Sequence, residues 1–134
     1  MGSFADYLEN KLLDHVHNQT TFTSPTNLYF ALSTTTINDD GTGMTEPSGG
    51  AYARANMAAN TTNFPAASGG AISNAVAITF PTATASWGTV TYFAVMDAAS
   101  GGNMLGYAAL AASKTIDSGD TPSFAIGDYD CTLD

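Results

Sequence analysis

His15 and His17 are the only two histidines of the chain, and imidazole is the side chain best suited to proton transfer near neutral pH. Two positions apart on a helix, they point to different faces and cannot chelate one metal ion. Neither a His-Glu-x-x-His pair nor a Gly-x-Ser-x-Gly elbow accompanies them. Near a helix end, histidine is favoured by the dipole, and that structural role is the one expected here. Asp39-Asp40-Gly41 and Asp117-Ser118-Gly119-Asp120 look like oxygen-rich loops. However, Asp39-Asp40 with Glu46 does not fit the twelve-residue frame of a calcium hand. Aspartate as a turn former accounts for both. The Gly-Gly pairs lead towards strands rather than into helices, and no lysine is nearby, so a phosphate cradle is excluded. Cys131 stands alone on an alternating terminal segment and reads as a buried, inert thiol. Arg54 is the only guanidinium. It is expected to fix a carboxylate or a loop carbonyl by bidentate hydrogen bonding. No catalytic residue, cofactor site or metal ligand is expected, and the chain is not read as an enzyme.

The elements that position these groups follow from periodicity. Phe4, Leu8, Leu12 and Val16 recur every four residues, which predicts an amphipathic helix over 3–17 with Ser3 as N-cap and Asn18 at its left-handed end. From there the period drops to two. Strands are predicted at 27–33, 51–57, 71–80, 89–96, 104–112, 124–126 and 129–133, separated by turn signals such as Ser100-Gly101-Gly102-Asn103. The segment 89–112 reads as a hairpin, with 89–96 apolar on both faces and therefore central. A long Thr/Asp/Gly-rich loop spans 34–50. The three Ser-Gly-Gly triplets have no fixed period and mark turns, not repeats. The expected fold is mainly β: an antiparallel sandwich or jelly-roll-like domain of about seven strands behind an N-terminal helix. It is expected to be one domain over 1–134, with the sandwich at 27–134.

Composition limits the partners. Ala, Thr, Gly and Ser fill 65 of 134 positions, and charged residues make up 11%, against roughly 25% in ordinary soluble domains. Three basic residues face twelve acidic ones, for a net charge of −9. Such a chain cannot neutralise a run of phosphates, and an anionic membrane surface repels it. No segment approaches the length of a membrane-spanning helix, and the charged start has no signal-peptide pattern. Short uncharged side chains lose little entropy on contact, and interface cores are poor in charge. The composition therefore points to an assembly component. The residues expected to carry core or subunit contacts are Phe4, Leu8, Leu12, Tyr52, Arg54, Trp87, Tyr92, Phe93 and Tyr107.

The segments Phe4–Val16, Asn27–Ser33, Ser48–Arg54, Ile78–Ala83 and Ser86–Phe93, with Asp97-Ala98 and Gly119–Pro122, carry a further signal. Together they cover essentially the whole chain, which resembles a family of small tailed-bacteriophage virion proteins, often labelled tail or tail-fibre proteins. The resemblance implies a structural part of the virion and carries no catalytic residues. Small β domains of this size commonly decorate phage heads, whereas a fibre would be expected to show heptads or long repeats, which are lacking here. The leading expectation is a capsid decoration or cement protein, a small homo-oligomer seated on the major capsid protein. The alternatives are a tail or baseplate component bound to tail proteins, and a glycan-binding module with Trp87 or Tyr52 as a stacking platform.

Overall fold

The computed structural model describes residues 3–133; residues 1, 2 and 134, the ends of the expected 1–134 domain, lie outside the described residues. Nine strands and one helix follow in the order β1 (Ser3–Phe4), α1 (Asp6–Val16), β2 (Asn27–Ser33), β3 (Ala55–Ala58), β4 (Ala71–Ser73), β5 (Ile78–Thr79), β6 (Gly88–Met96), β7 (Met104–Ile116), β8 (Ser123–Phe124) and β9 (Asp130–Thr132). Strands β1-β7-β6-β2-β3 form one antiparallel sheet, and two ribbons, β4-β9 and β5-β8, face it. The fold is mainly β and antiparallel with an N-terminal helix, as the periodicity predicts.

The core lies between the sheet and the ribbons. Phe30, Ile78, Val90 and Ile116 are fully buried there, joined by Leu32, Trp87 and Phe80. Aromatic contacts tie the layers together: Phe30 edge-on to Tyr129 with ring centres 5.0 Å apart, and Phe93 tilted against Phe124 at 5.2 Å. The other face of the sheet presents Ala31 and Ala94, whose small side chains let a loop lie close. That loop is the predicted 34–50 segment. It is no free docking arm, because Ile37 is buried on the sheet and Ser33 Oγ accepts the Thr35 and Thr45 amides at 3.2 and 3.0 Å.

Three predicted elements come out differently. The helix begins at Asp6, not Ser3, and its N-cap Ala5 makes no side-chain cap. Ser3 and Phe4 are instead extended against Tyr107 and Gly106. The first amides find tertiary acceptors: Ala5 N–H donates to Leu105 O and Asp6 N–H to Asp39 O, each at 3.0 Å. An edge strand thus takes over what a capping serine would do. The far end follows the prediction, with Asn18 at φ 58°.

The run 71–80 is not one strand. It splits into β4, paired with β9, and β5, paired with β8. The break is Asn74, which is buried and bonded on every side. Its Nδ2 donates to Val76 O and Ala125 O at 2.9 and 3.0 Å, and its Oδ1 accepts the Gly127 and Tyr129 amides at 3.1 and 3.0 Å. The predicted 51–57 strand shortens to Ala55–Ala58 because Arg54 is drawn into a polar cluster. The hairpin is as expected, with β6 central, but β7 runs on to Ile116. Val90 pairs with Lys114 and Tyr92 with Ala109, so Thr91 alone faces Leu110–Ser113, a large bulge that bends β7.

Candidate functional site

Six of the nine residues singled out from the sequence fall into two groups. Tyr52, Arg54 and Trp87 meet on one side of the molecule. Arg54 is the predicted bidentate clamp: Nε and Nη2 donate to the two Glu46 oxygens at 3.0 and 2.8 Å. Its Nη1 donates to Ala98 O and Gly101 O at 2.7 and 2.8 Å. One side chain therefore holds the 34–50 loop and the β6–β7 turn together, serving the carboxylate and the loop carbonyls at once. Tyr52 Oη donates to Glu46 Oε1 at 2.8 Å and accepts the Leu32 amide at 3.0 Å. Burial alone would raise the Glu46 carboxyl. The bonds from Arg54 and Tyr52 and the guanidinium charge outweigh it and hold the carboxyl below its ordinary value. Burial pushes the Tyr52 phenol up.

Trp87 is 4% exposed and donates Nε1–H to Gly50 O at 2.7 Å, with its ring edge-on to Tyr52 at 5.1 Å. The Trp87 ring is not free to stack on a sugar, and Tyr52 is half-buried. Their hydroxyl and indole groups are spent on internal bonds.

Phe4, Leu8 and Phe93 converge on the opposite side. They line an apolar groove of about 670 Å³ between the β1–β7 edge and the β4-β9 ribbon. Its floor is Phe93 and Val95, and its outer wall runs along Ala108, Ala109 and Ala111. Cys131 lines the ribbon side, half-buried, with its thiol raised by burial. Asp128 and Asp130 stand exposed on the rim, and no cationic side chain lines the groove. Helix α1 lies beside it, packed on β7 by its first turns. Leu12 is half-buried on α1, beyond the groove, and Tyr92 and Tyr107 pack half-buried on the other face of the sheet.

Sequence reasoning missed three features. Asn74 is one, and its signal was an amide inside an apolar alternating run, where strands rarely place it. Glu46 is the second, read only against a calcium frame. The third is a cluster of Asp6, Glu9 and Asp39, whose carboxylate oxygens lie within 4.8 Å of one another. These are the residues best placed to hold a cation. Asp6 and Glu9 are also first-turn acids of α1, where the dipole favours them. The two oxygen-rich loops are turns, as expected: Asp40 Oδ1 accepts the Thr42 amide at 2.9 Å, and Asp120 Oδ2 accepts the Asp117 amide at 2.9 Å. His15 and His17 also serve the chain locally, since His15 Nδ1 accepts the Phe22 amide and His17 Nδ1 lies 2.8 Å from Leu13 O.

Among the described residues no helix is long and apolar enough to cross a membrane. A search of curated proteins returns no match. A family described as "Podophage GP4 fiber I protein gp80" matches residues 3–132, from the first described strand to the last. With that span the chain belongs to the gp80 fibre family, a family of tailed-phage virion structural proteins.

Proposed function

We propose that this chain is a fibre-type structural component of a tailed-phage particle, which holds neighbouring protein subunits by surface contact and catalyses no reaction. The observation that carries the reading is the family match over 3–132. Two further features support it. The polar groups best suited to chemistry, Arg54, Glu46 and Tyr52, are committed to one another and to loop carbonyls. The surface is built from short uncharged side chains that desolvate at little cost. The capsid decoration expected from size and composition draws no support from the match, because the family is described by a fibre. The chain has neither heptads nor long repeats, so its part in a fibre is that of a β unit joined through its faces rather than a coiled-coil shaft.

Labelling purified virions with antibody against this chain, followed by electron microscopy, tests the reading. Gold on fibres is the expected result. Gold confined to the head shell, or none on intact particles, overturns it.

A further inference from the structure

The N-terminal arm, residues 3–22, is anchored to the rest of the molecule at its leading end. Ser3 and Phe4 pair with Tyr107 and Gly106 on β7. Ala5, 1% exposed, donates its amide to Leu105 O, and Asp6 donates its own to Asp39 O, each at 3.0 Å. Tyr7 and Leu8 pack on the core. No residue of α1 is buried, and Leu13 and Val16 are 58% and 74% exposed. The chain that follows folds back on the helix: the Gln19 amide donates to Asp14 O at 2.8 Å, and the Phe22 amide to His15 Nδ1 at 3.1 Å. Among the described residues, positions 9–25 make no hydrogen bond to any residue beyond 25.

Thr23, Ser24 and Pro25 join this arm to β2. Thr23 and Ser24 are exposed, Pro25 is half-buried, and among the described residues none of the three makes a hydrogen bond. Proline fixes its own φ and drives the residue before it into extended backbone. The joint is therefore a straight connector without bonds to lose, not a turn that locks the arm down. Seat and root also lie apart in the sheet. The arm sits on the β7 edge, whereas the chain re-enters at β2, with β7 and β6 between β1 and that strand. A small anchor thus closes a long crossing.

We propose that the arm is exchanged between copies of this chain: residues 3–8 of one copy take the seat on β7 and Asp39 of the next. The seat and its occupant are those already joined within one chain, so every anchoring bond is remade in the exchanged form. Only the course of the chain at 23–25 differs between the two. Concentration then decides between them. A tethered arm sees its own seat at an effective concentration of about 1 mM, and subunits packed side by side in a particle reach that. The closed chain is the dilute form, and the exchanged chain belongs to the assembly. Reciprocal exchange closes a dimer, whereas arms passed on from copy to copy build an open row, as a fibre requires. The proposal names how neighbouring subunits are joined and rests on the structural role proposed above.

Cross-linking between two marked chains provides the test. One chain carries Ser3→Cys, the other Tyr107→Cys with an affinity tag, and both carry Cys131→Ser so that each has a single thiol. The two are unfolded in urea, mixed, refolded together at about 1 mM and oxidised. Positions 3 and 107 are register partners, so a bridge between the two chains is the expected covalent product, about tenfold above either like pairing. A single chain with Ser3→Cys and Tyr107→Cys, refolded at about 1 μM, should place the same bridge within itself. Sedimentation equilibrium of wild type refolded at the two concentrations is the second measurement, with a mass above monomer expected only at the higher one. A 3–107 bridge that forms within one chain but never between two overturns the proposal, as does wild type that stays monomeric at the higher concentration. Fibre labelling of the virion without exchange sinks this contact and leaves the structural role standing; exchange without labelling does the reverse.

Discussion

Arg54 and Asn74 show how much of this molecule hangs on two polar side chains. Arg54 makes four hydrogen bonds from a side chain 5% exposed. Lysine keeps the charge but not the planar fork, so Arg54→Lys leaves part of Glu46 and at least one loop carbonyl unmet. The expected loss is about 2 kcal/mol in urea unfolding. The same pair sets an acid response. A carboxyl held below its ordinary value contributes stability above its unfolded pKa and loses it as pH falls through the folded one. Stability should therefore decline below about pH 4.5, the ordinary value for this group. Glu46→Gln should flatten that part of the pH profile while lowering stability at neutral pH. A Glu46→Gln profile that tracks wild type through the acid limb would remove Glu46 as the cause. Asn74→Ala strips its side-chain partner from the Val76 and Ala125 carbonyls and from the Tyr129 amide, while the Gly127 amide keeps the Asn74 backbone oxygen at 3.0 Å. At roughly 1–3 kcal/mol for each group left dry, a loss above about 3 kcal/mol is expected.

At the level of elements, the β6–β7 hairpin and the split 71–80 run carry the contrast between pattern and context. The hairpin was legible because its turn, Ser100-Gly101-Gly102-Asn103, is local chemistry, and both central glycines hold positive φ, 60° and 76°. They are not equivalent. A Cβ at Gly101 would meet nothing, whereas one at Gly102 would sit 2.5 Å from Asp97 Oδ1 and 2.6 Å from Ala98 Cβ. Gly101→Ala should cost only the backbone strain, about 1 kcal/mol. Gly102→Ala should cost clearly more and loosen the carbonyls that Arg54 holds. Thermal unfolding of the two variants side by side separates them, and equal losses would refute the steric account. Strand 71–80 was misread because alternation cannot say which partner each half will find. Ile72 meets Cys131 and Ile78 meets Phe124, and both partners lie more than forty residues away along the chain. The helix start failed for a similar reason: Leu105 and Asp39 supply the acceptors that Ser3 was expected to supply.

For the molecule as a whole, a net charge of −9 with three Lys or Arg residues has a consequence of its own. Arg54 is committed to Glu46, and Asp6, Glu9 and Asp39 crowd together, so repulsion among carboxylates outweighs ion pairing. Added sodium chloride should screen that repulsion and raise the melting temperature at neutral pH. A melting temperature that falls between low and about 0.5 M salt would contradict this. The groove was out of reach of any pattern in the sequence. Phe4, Leu8 and Phe93 were each selected as contact residues, but only the register of β1 on β7 and the position of the β4-β9 ribbon bring them to one surface. By itself the sequence determined the properties that act over a few residues or over none: the mainly β class, the central hairpin, the bidentate role of Arg54 and the scarcity of charge. These rest on period, turn chemistry and charge, which travel with the chain whatever its fold. The tertiary structure alone decided where the helix begins, that Asn74 divides a strand, which carboxylate Arg54 takes and that an apolar groove opens beside α1. Each of these depends on groups distant in sequence meeting in space, and their free energy appears only once the chain has closed around them.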